Sequence, residues 1–211
     1  MIDSDTRLRA ARGIAKTESE AAQIVFATLK QRGLPDKPPP TISDGWGGIR
    51  EAMVEVYGRV PPYSGRGRPP IHKQPGEAWQ YLQMVKQREN GRVIGTELRV
   101  IYGDDAEVLA LLGKSTSYIE RSNLTSRHFN SRLTRKTLAF SKTIAMHQAA
   151  ASLEDAYYNL VRPHKTLRQE ILASDRRWAP RTPAMASALT DHIWTVKELF
   201  SKIPVPIVNN T

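Results

Sequence analysis

The chain holds 211 residues, long enough for one domain with its own core or for a domain plus a small appendage. Its 31 Lys and Arg against 21 Asp and Glu leave a net charge of +10 at pH 7, an excess that points to a polyanionic partner, of which nucleic acid is the commonest. The absence of cysteine excludes disulfides and any sulfur-ligated metal site and suits a reducing cytosol. With no apolar run of the roughly 18 residues a membrane span needs and no signal-peptide layout at the start, a soluble, cytoplasmic protein is expected.

The opening residues read as the end of one strand, a turn on Asp3-Ser4-Asp5-Thr6, and a second short strand from about Leu8 to Ala15. Thr17 and Glu20 form a capping box that opens a helix with Ala21, Ile24, Val25 and Leu29 as its apolar positions and Gly33 as its stop. After the proline-rich stretch Pro35 to Pro40, Thr41 to Asp44 reads as a buried strand that ends in an aspartate. Gly45, Gly47 and Gly48 then let the chain turn into a helix from about Ile49 to Tyr57, burying Ile49, Met53 and Val56. A carboxylate at a strand tip is either a site residue or a local Asx turn or cap.

Between Arg59 and Arg99 stand eight Lys and Arg against three Glu. The Gly-Arg-Gly-Arg-Pro run at 65–69 resembles an AT-hook, which lays arginines in a narrow minor groove, and equally suits a flexible basic loop touching phosphates. Trp79 to Val85 and Leu98 to Tyr102 have strand character and are joined by a polar turn at 87–91, a hairpin pattern. Asp104 and Asp105 look like the start of a short helix that runs to Leu112, where carboxylates offset the helix dipole.

A second basic block follows, with seven Lys and Arg between Lys114 and Lys142 against Glu120 alone. The segment Tyr118 to Lys142 is expected to be helical. Glu120, Asn123, Arg127, Ser131 and Thr134 would then share one face, with the lone acid either a metal or catalytic group or a first-turn glutamate stabilised by the dipole. Phe140, Ile144, His147 and Ala151 suggest the core face of a further helix reaching Leu160, with His147 a core histidine. Arg162-Pro163-His164-Lys165 breaks that pattern. Trp178, Trp194 and Leu199 mark two short amphipathic pieces covering the core, and 204–211 is expected to be a flexible tail.

The phrases SDGWGGIREAMVEVYG (from Ser43), ERSNLTSR…RLTRKTLAFSK (from Glu120), YYNLVRPHKTL (from Tyr157) and TPAMASALTDHIWTVKEL (from Thr182) resemble, in order, blocks of the bacterial insertion-sequence-one transposases, which are DDE enzymes. The resemblance implies an α/β fold with a ribonuclease H-like core over 1–203, including a basic insertion at 59–103 and the catalytic-glutamate helix with its successor at 114–160. It places Asp44 on a central strand as the second acid and Glu120 on the facing helix as the last. Both would be catalytic and would bind Mg2+ or Mn2+ as ligands in two-metal DNA strand cleavage and transfer. Arg66, Arg68, Arg121, Asn123, Arg127, Arg132, Arg135, Lys136 and Lys142 would hold DNA, both transposon ends and target. A homodimer or a complex with a full-length transposase is the implied assembly.

In one respect the chain departs from that pattern. The family's first aspartate lies in a DE-x-W phrase on the first core strand, and no such phrase occurs here, while Asp3 and Asp5 fall where the family has a hairpin turn. The chain therefore reads as an N-terminally truncated transposase whose first acid comes from an upstream frame. The alternative is an inactive DNA-binding remnant that acts at most as an inhibitor.

Overall fold

Thr17 opens the first helix as the sequence predicts: its hydroxyl accepts the Glu20 N–H at 3.2 Å and starts α1, Glu18–Gln31. The buried stripe is Ala22, Phe26 and Leu29, so of the expected apolar positions Leu29 holds while Ile24 faces outward. At the other end Gly33 takes φ 115°, and the Leu34 N–H returns to the Leu29 carbonyl at 3.2 Å, a left-handed stop that glycine adopts without strain. The computed structural model describes residues 1–65, 67–112, 117–134, 136–171 and 177–202.

The chain divides into two compact units, Met1 with Ala11–Glu120, and Ile2–Ala10 with Arg121–Thr211. In the first unit, α1 packs on α2 (Gly48–Tyr57), which buries Ala52, Met53 and Tyr57. The strand β1 (Thr41–Asp44) pairs in parallel with β2 (Tyr81–Glu89), placing Asp44 beside Met84. β2 turns back into β3 (Arg92–Tyr102) through Asn90 and Gly91 at φ 50° and 78°, the left-handed pair that a two-residue hairpin demands. The hairpin expected within the basic 59–103 region thus supplies the middle strand of the order β1-β2-β3.

This order corrects the expectation of a central position for Asp44. β2 takes one side of β1 through the parallel crossover, β3 takes the far side of β2, and among the described residues no strand pairs with the other edge of β1. The helix α3 (Asp105–Leu112) packs on β2 and β3 and buries Val108. Asp104 accepts the N–H groups of Ala106 and Glu107 at 3.0 and 3.1 Å, the capping role its position predicts. An edge-to-face series of rings, Phe26, Tyr57, Trp79 and Tyr102, fills the core under the sheet.

In the second unit the N-terminal turn is present, with the Asp3 N–H bonded to the Leu8 carbonyl at 2.8 Å and a single antiparallel bridge from Ile2 to Arg9. The expected strand does not continue to Ala15. Beyond Ala10 the chain runs against α1, where a Cβ on Gly13 would stand 1.9 Å from the Ala21 carbonyl oxygen. The boundary between units falls inside α4 (Ser117–Phe129).

That helix is shorter than the segment to Lys142. Asn130 leaves helical geometry at φ −124°, its side chain accepts the Arg132 N–H at 3.1 Å, and a 3-10 turn over Ser131–Leu133 follows. Ser131 and Thr134 therefore do not share a helical face with Glu120. The helix α5 (Ile144–Ala156) starts on a Thr143 cap and buries Ala151, while Phe140 precedes it and is exposed, so the expected heptad is not a core face.

A π-helical turn, Tyr157–Val161, follows α5 directly. Against it pack α6 (Pro183–Ala186), capped by Thr182, and α7 (Val196–Lys202), which buries Leu199. Trp178 sits on the two-strand ribbon of β4 (Gln169–Glu170) and β5 (Trp178–Ala179), with the Arg168 and Arg177 guanidiniums 4.1 and 5.3 Å from its ring centre.

Candidate functional site: two carboxylates and basic surfaces

Asp44 ends β1 in solvent, and its Oδ1 accepts the Trp46 N–H at 3.3 Å, the Asx turn that such a position allows. The turn is held from below by polar contacts. The Tyr81 hydroxyl lies 2.8 Å from the Ser43 hydroxyl and accepts from Gln83 at 2.9 Å, and Gln83 also donates to the Trp46 carbonyl at 3.4 Å. Burial pushes the Tyr81 phenol pKa up, so Tyr81 serves this chain in its neutral form. The Trp46 ring lies across Gly48, where a Cβ would meet its Cζ2 at 2.2 Å. Beside Asp44 opens a cavity of about 500 Å³ lined by Gly13, Glu18, Val25, Trp46 and Ile49 among others.

Glu120 lies in the first turn of α4 with 57% of its side chain exposed, and its Oε1 accepts from the Lys86 ammonium. Strand geometry relates the two acids: Asp44 pairs with Met84, and Lys86 stands two residues farther along β2 on the same side of the pleat as Met84. Both carboxylates therefore border one stretch of β2. Among the described residues no group of three His, Cys, Asp or Glu is arranged to hold a metal ion. The donor type fits magnesium, which takes oxygen ligands, but the described acids fall short of three. Asp3 is occupied within its own turn, accepting from the Asp5 N–H at 3.2 Å and from the Thr6 hydroxyl, and does not join them.

Of the residues expected to hold DNA, Arg66 and Arg135 lie outside the described residues. Arg68 is exposed, Gly65 and Gly67 both take φ 79°, and the Tyr63 hydroxyl donates to the Gly67 carbonyl at 2.9 Å. Arg121, Asn123 and Arg127 are exposed on α4, and Lys136 and Lys142 are exposed beyond it. Arg132 is partly buried and donates to the Ser141 hydroxyl at 3.2 Å, while Thr134 donates to the Arg127 carbonyl at 2.9 Å, so the loop after α4 folds back on the helix end.

Sequence reasoning missed a buried polar cluster in the second unit. Arg9, with 5% of its side chain exposed, pairs with Glu154 and, at 3.0 Å, with Asp155. It bonds the Ser122 hydroxyl at 2.9 Å and stacks 3.9 Å above the Tyr158 ring. Ser126 donates to the same Glu154 at 2.7 Å. Asn159 brackets the Arg9 backbone, accepting its N–H at 3.0 Å and donating to its carbonyl at 3.1 Å, as a neighbouring strand would. The signals available were the Ser122/Ser126 spacing of four on α4 and the adjacent Glu154-Asp155 at the end of α5.

An exposed acid at a strand tip and a second on a helix thus border one strand of a chain rich in Arg and Lys. Residues 101–158, which include Glu120 and the Tyr157–Tyr158 start of the π-helical turn, match the family model of the IS1 transposases. Comparison with curated proteins and with solved structures returned no match. Among the described residues no helix is long and apolar enough to cross a membrane.

Proposed function

We propose that this protein acts in DNA transposition through a ribonuclease H-like core, with Asp44 and Glu120 as two of the three carboxylates that divalent-metal strand cleavage uses and the third brought by a further polypeptide segment. The observation that carries the reading is the placement of an exposed Glu120, bonded to Lys86, on the same stretch of β2 that Asp44 flanks. Neither acid has a structural task that a neutral polar residue could not fill. Exposed carboxylates beside basic side chains suit a site that meets a phosphodiester, because the cations draw the backbone in and the acids keep solvent-facing oxygens for ligation.

The basic side chains would divide the work by position. Arg68 on its loop and Arg121, Arg127, Arg132, Lys136 and Lys142 on and after α4 neutralise phosphates, and Asn123 donates hydrogen bonds to them. DNA is the partner, and the protein works where the DNA is, in the cytoplasm. The deciding experiment is strand cleavage of end-bearing DNA in magnesium and in manganese, with this chain, with a longer polypeptide carrying a DE-x-W strand ahead of it, and with Glu120→Gln in each. Cleavage by the longer form that Glu120→Gln abolishes is expected. Cleavage by the 211-residue chain alone would mean that its own acids complete the site, and retained cleavage in Glu120→Gln would remove the glutamate from it.

A further inference from the structure

The surface after α4 combines two features that rarely coincide. Phe129 and Phe140 are 60% and 63% exposed and Leu138 is 98% exposed, so large apolar groups stand in solvent there. Around them the sequence from Arg121 to Leu153 carries six Lys and Arg and no acid. Internal bonds bring these groups together: Thr134 ties the loop to Arg127, Arg132 reaches Ser141 next to Phe140, and the Arg162 guanidinium sits 4.5 Å from the Phe129 ring centre.

A protein interface accepts arginines beside aromatic rings, but six cations with no acid, two of them lysines, run against its depletion of Lys and of charge at the core. Paired duplex DNA would satisfy the cations but leave the phenyl faces in water, since its bases are stacked on one another. Unpaired DNA satisfies both, offering phosphates to the guanidinium and ammonium groups and base faces to the rings.

We propose that this surface is a platform for an unpaired stretch of DNA, with bases stacking on Phe129 and Phe140 and phosphates held by Arg127, Arg132, Lys142 and Arg162. The inference rests on the DNA-handling function proposed above and adds the strand state it acts on: the platform takes the frayed or displaced strand at a DNA end. Arg162 contributes twice, as a cation for phosphate and as the group that fixes the Phe129 ring.

The test measures fluorescence anisotropy of the full chain with a labelled single-stranded oligonucleotide and with a duplex of the same sequence, for wild type, Phe129→Ala, Phe140→Ala, Phe140→Tyr and Lys142→Gln. Each Phe→Ala change should weaken single-strand binding about tenfold and leave duplex binding within about twofold, given the strength of base–aromatic stacking. Phe140→Tyr should restore it, and Lys142→Gln should weaken both substrates and flatten their salt dependence. Equal effects of Phe→Ala on single strand and duplex, or none on either, overturn the platform while leaving DNA binding intact. No binding to either DNA overturns the DNA reading and the platform with it. Because both rings are exposed, circular dichroism of the variants should match wild type, which separates lost stacking from lost folding.

Discussion

Lys86 on β2 donates a hydrogen bond to Glu120 on α4 across an ion pair that leaves both side chains substantially exposed. Exposed pairs contribute about 0–1 kcal/mol, so the contact does not explain why a lone acid stands in this basic segment. Glu120→Gln and Lys86→Ala should therefore each shift the urea midpoint by no more than about 1 kcal/mol of stability. A loss of several kcal/mol in Glu120→Gln would make the glutamate a structural residue and take it out of the proposed chemistry.

Arg9 behaves in the opposite way. Its guanidinium is buried against Glu154, Asp155, Ser122 and the Tyr158 ring, and removing one partner of a buried ion pair leaves the other charges uncompensated. Arg9→Met should destabilise the protein by about 3–5 kcal/mol, and Glu154→Gln combined with it should cost less than the sum of the two single changes. Chemical denaturation of the two single variants and the double variant checks both statements, and strict additivity would show that the groups do not act together.

Asn159 tests how the N-terminal hairpin is held. Its amide replaces a strand partner for Arg9, so Asn159→Leu leaves the Arg9 N–H and carbonyl without their side-chain partner. A loss of about 1–3 kcal/mol is expected, with faster amide exchange at Arg9 by NMR. Unchanged exchange at that amide would mean that the bracket carries no load.

Several features of the fold were legible because their causes are local. The Thr17 cap, the Gly33 stop and the Asp104 cap each follow from the chemistry of two or three neighbouring residues and each is where the sequence puts it, while the turn expected over 87–91 narrows to Asn90-Gly91. The position of Asp44 at the end of a strand was legible for the same reason, and that of Glu120 at the head of a helix as well. The edge position of β1 was not, since strand order is a long-range property. The end of α4 at Phe129 was missed because Asn130 stops the helix by bonding its own neighbour, a competition that apolar periodicity does not register. Arg9 was missed because its partners lie 113 to 150 residues away, and a single arginine in a basic chain gives no sign of burial.

His164 gives the chain a pH dependence. Burial, reinforced by the charges of Arg162, Arg9 and Arg7, lowers its pKa from 6.5 to about 4, and its Nε2 is buried without a hydrogen-bond partner. Between those two values the unfolded chain takes up a proton that the folded chain refuses, so this contribution is complete above pH 6.5 and is lost as pH falls toward 4. Urea midpoints measured from pH 7.5 to pH 4 should fall less steeply for His164→Phe than for wild type. Parallel slopes would mean that His164 titrates normally in the folded protein. At neutral pH the residue is uncharged, so it adds no cation to the basic surface.

Gly48 connects backbone space to the Asp44 turn. A Cβ at this position would overlap the Trp46 ring, whose Cζ2, Cη2 and Cε2 atoms stand 2.2, 2.4 and 2.6 Å away, and the ring, being partly exposed, can yield by swinging outward. Alanine is otherwise favourable in a helix, by roughly 1 kcal/mol over glycine, so Gly48→Ala should leave stability within about 1 kcal/mol of wild type while displacing the indole. The displacement is readable as a red-shifted and more quenchable Trp46 emission, isolated by subtracting the spectrum of Trp46→Phe. Because the Trp46 N–H bonds Asp44 and its carbonyl accepts from Gln83, moving this residue loosens the turn that sets the carboxylate. In a longer polypeptide that cleaves DNA as proposed, Gly48→Ala should therefore lower the cleavage rate by about tenfold or more with DNA affinity unchanged, since small misplacements of reacting groups are costly. An unaltered rate alongside a shifted emission would show that Asp44 is positioned independently of Trp46.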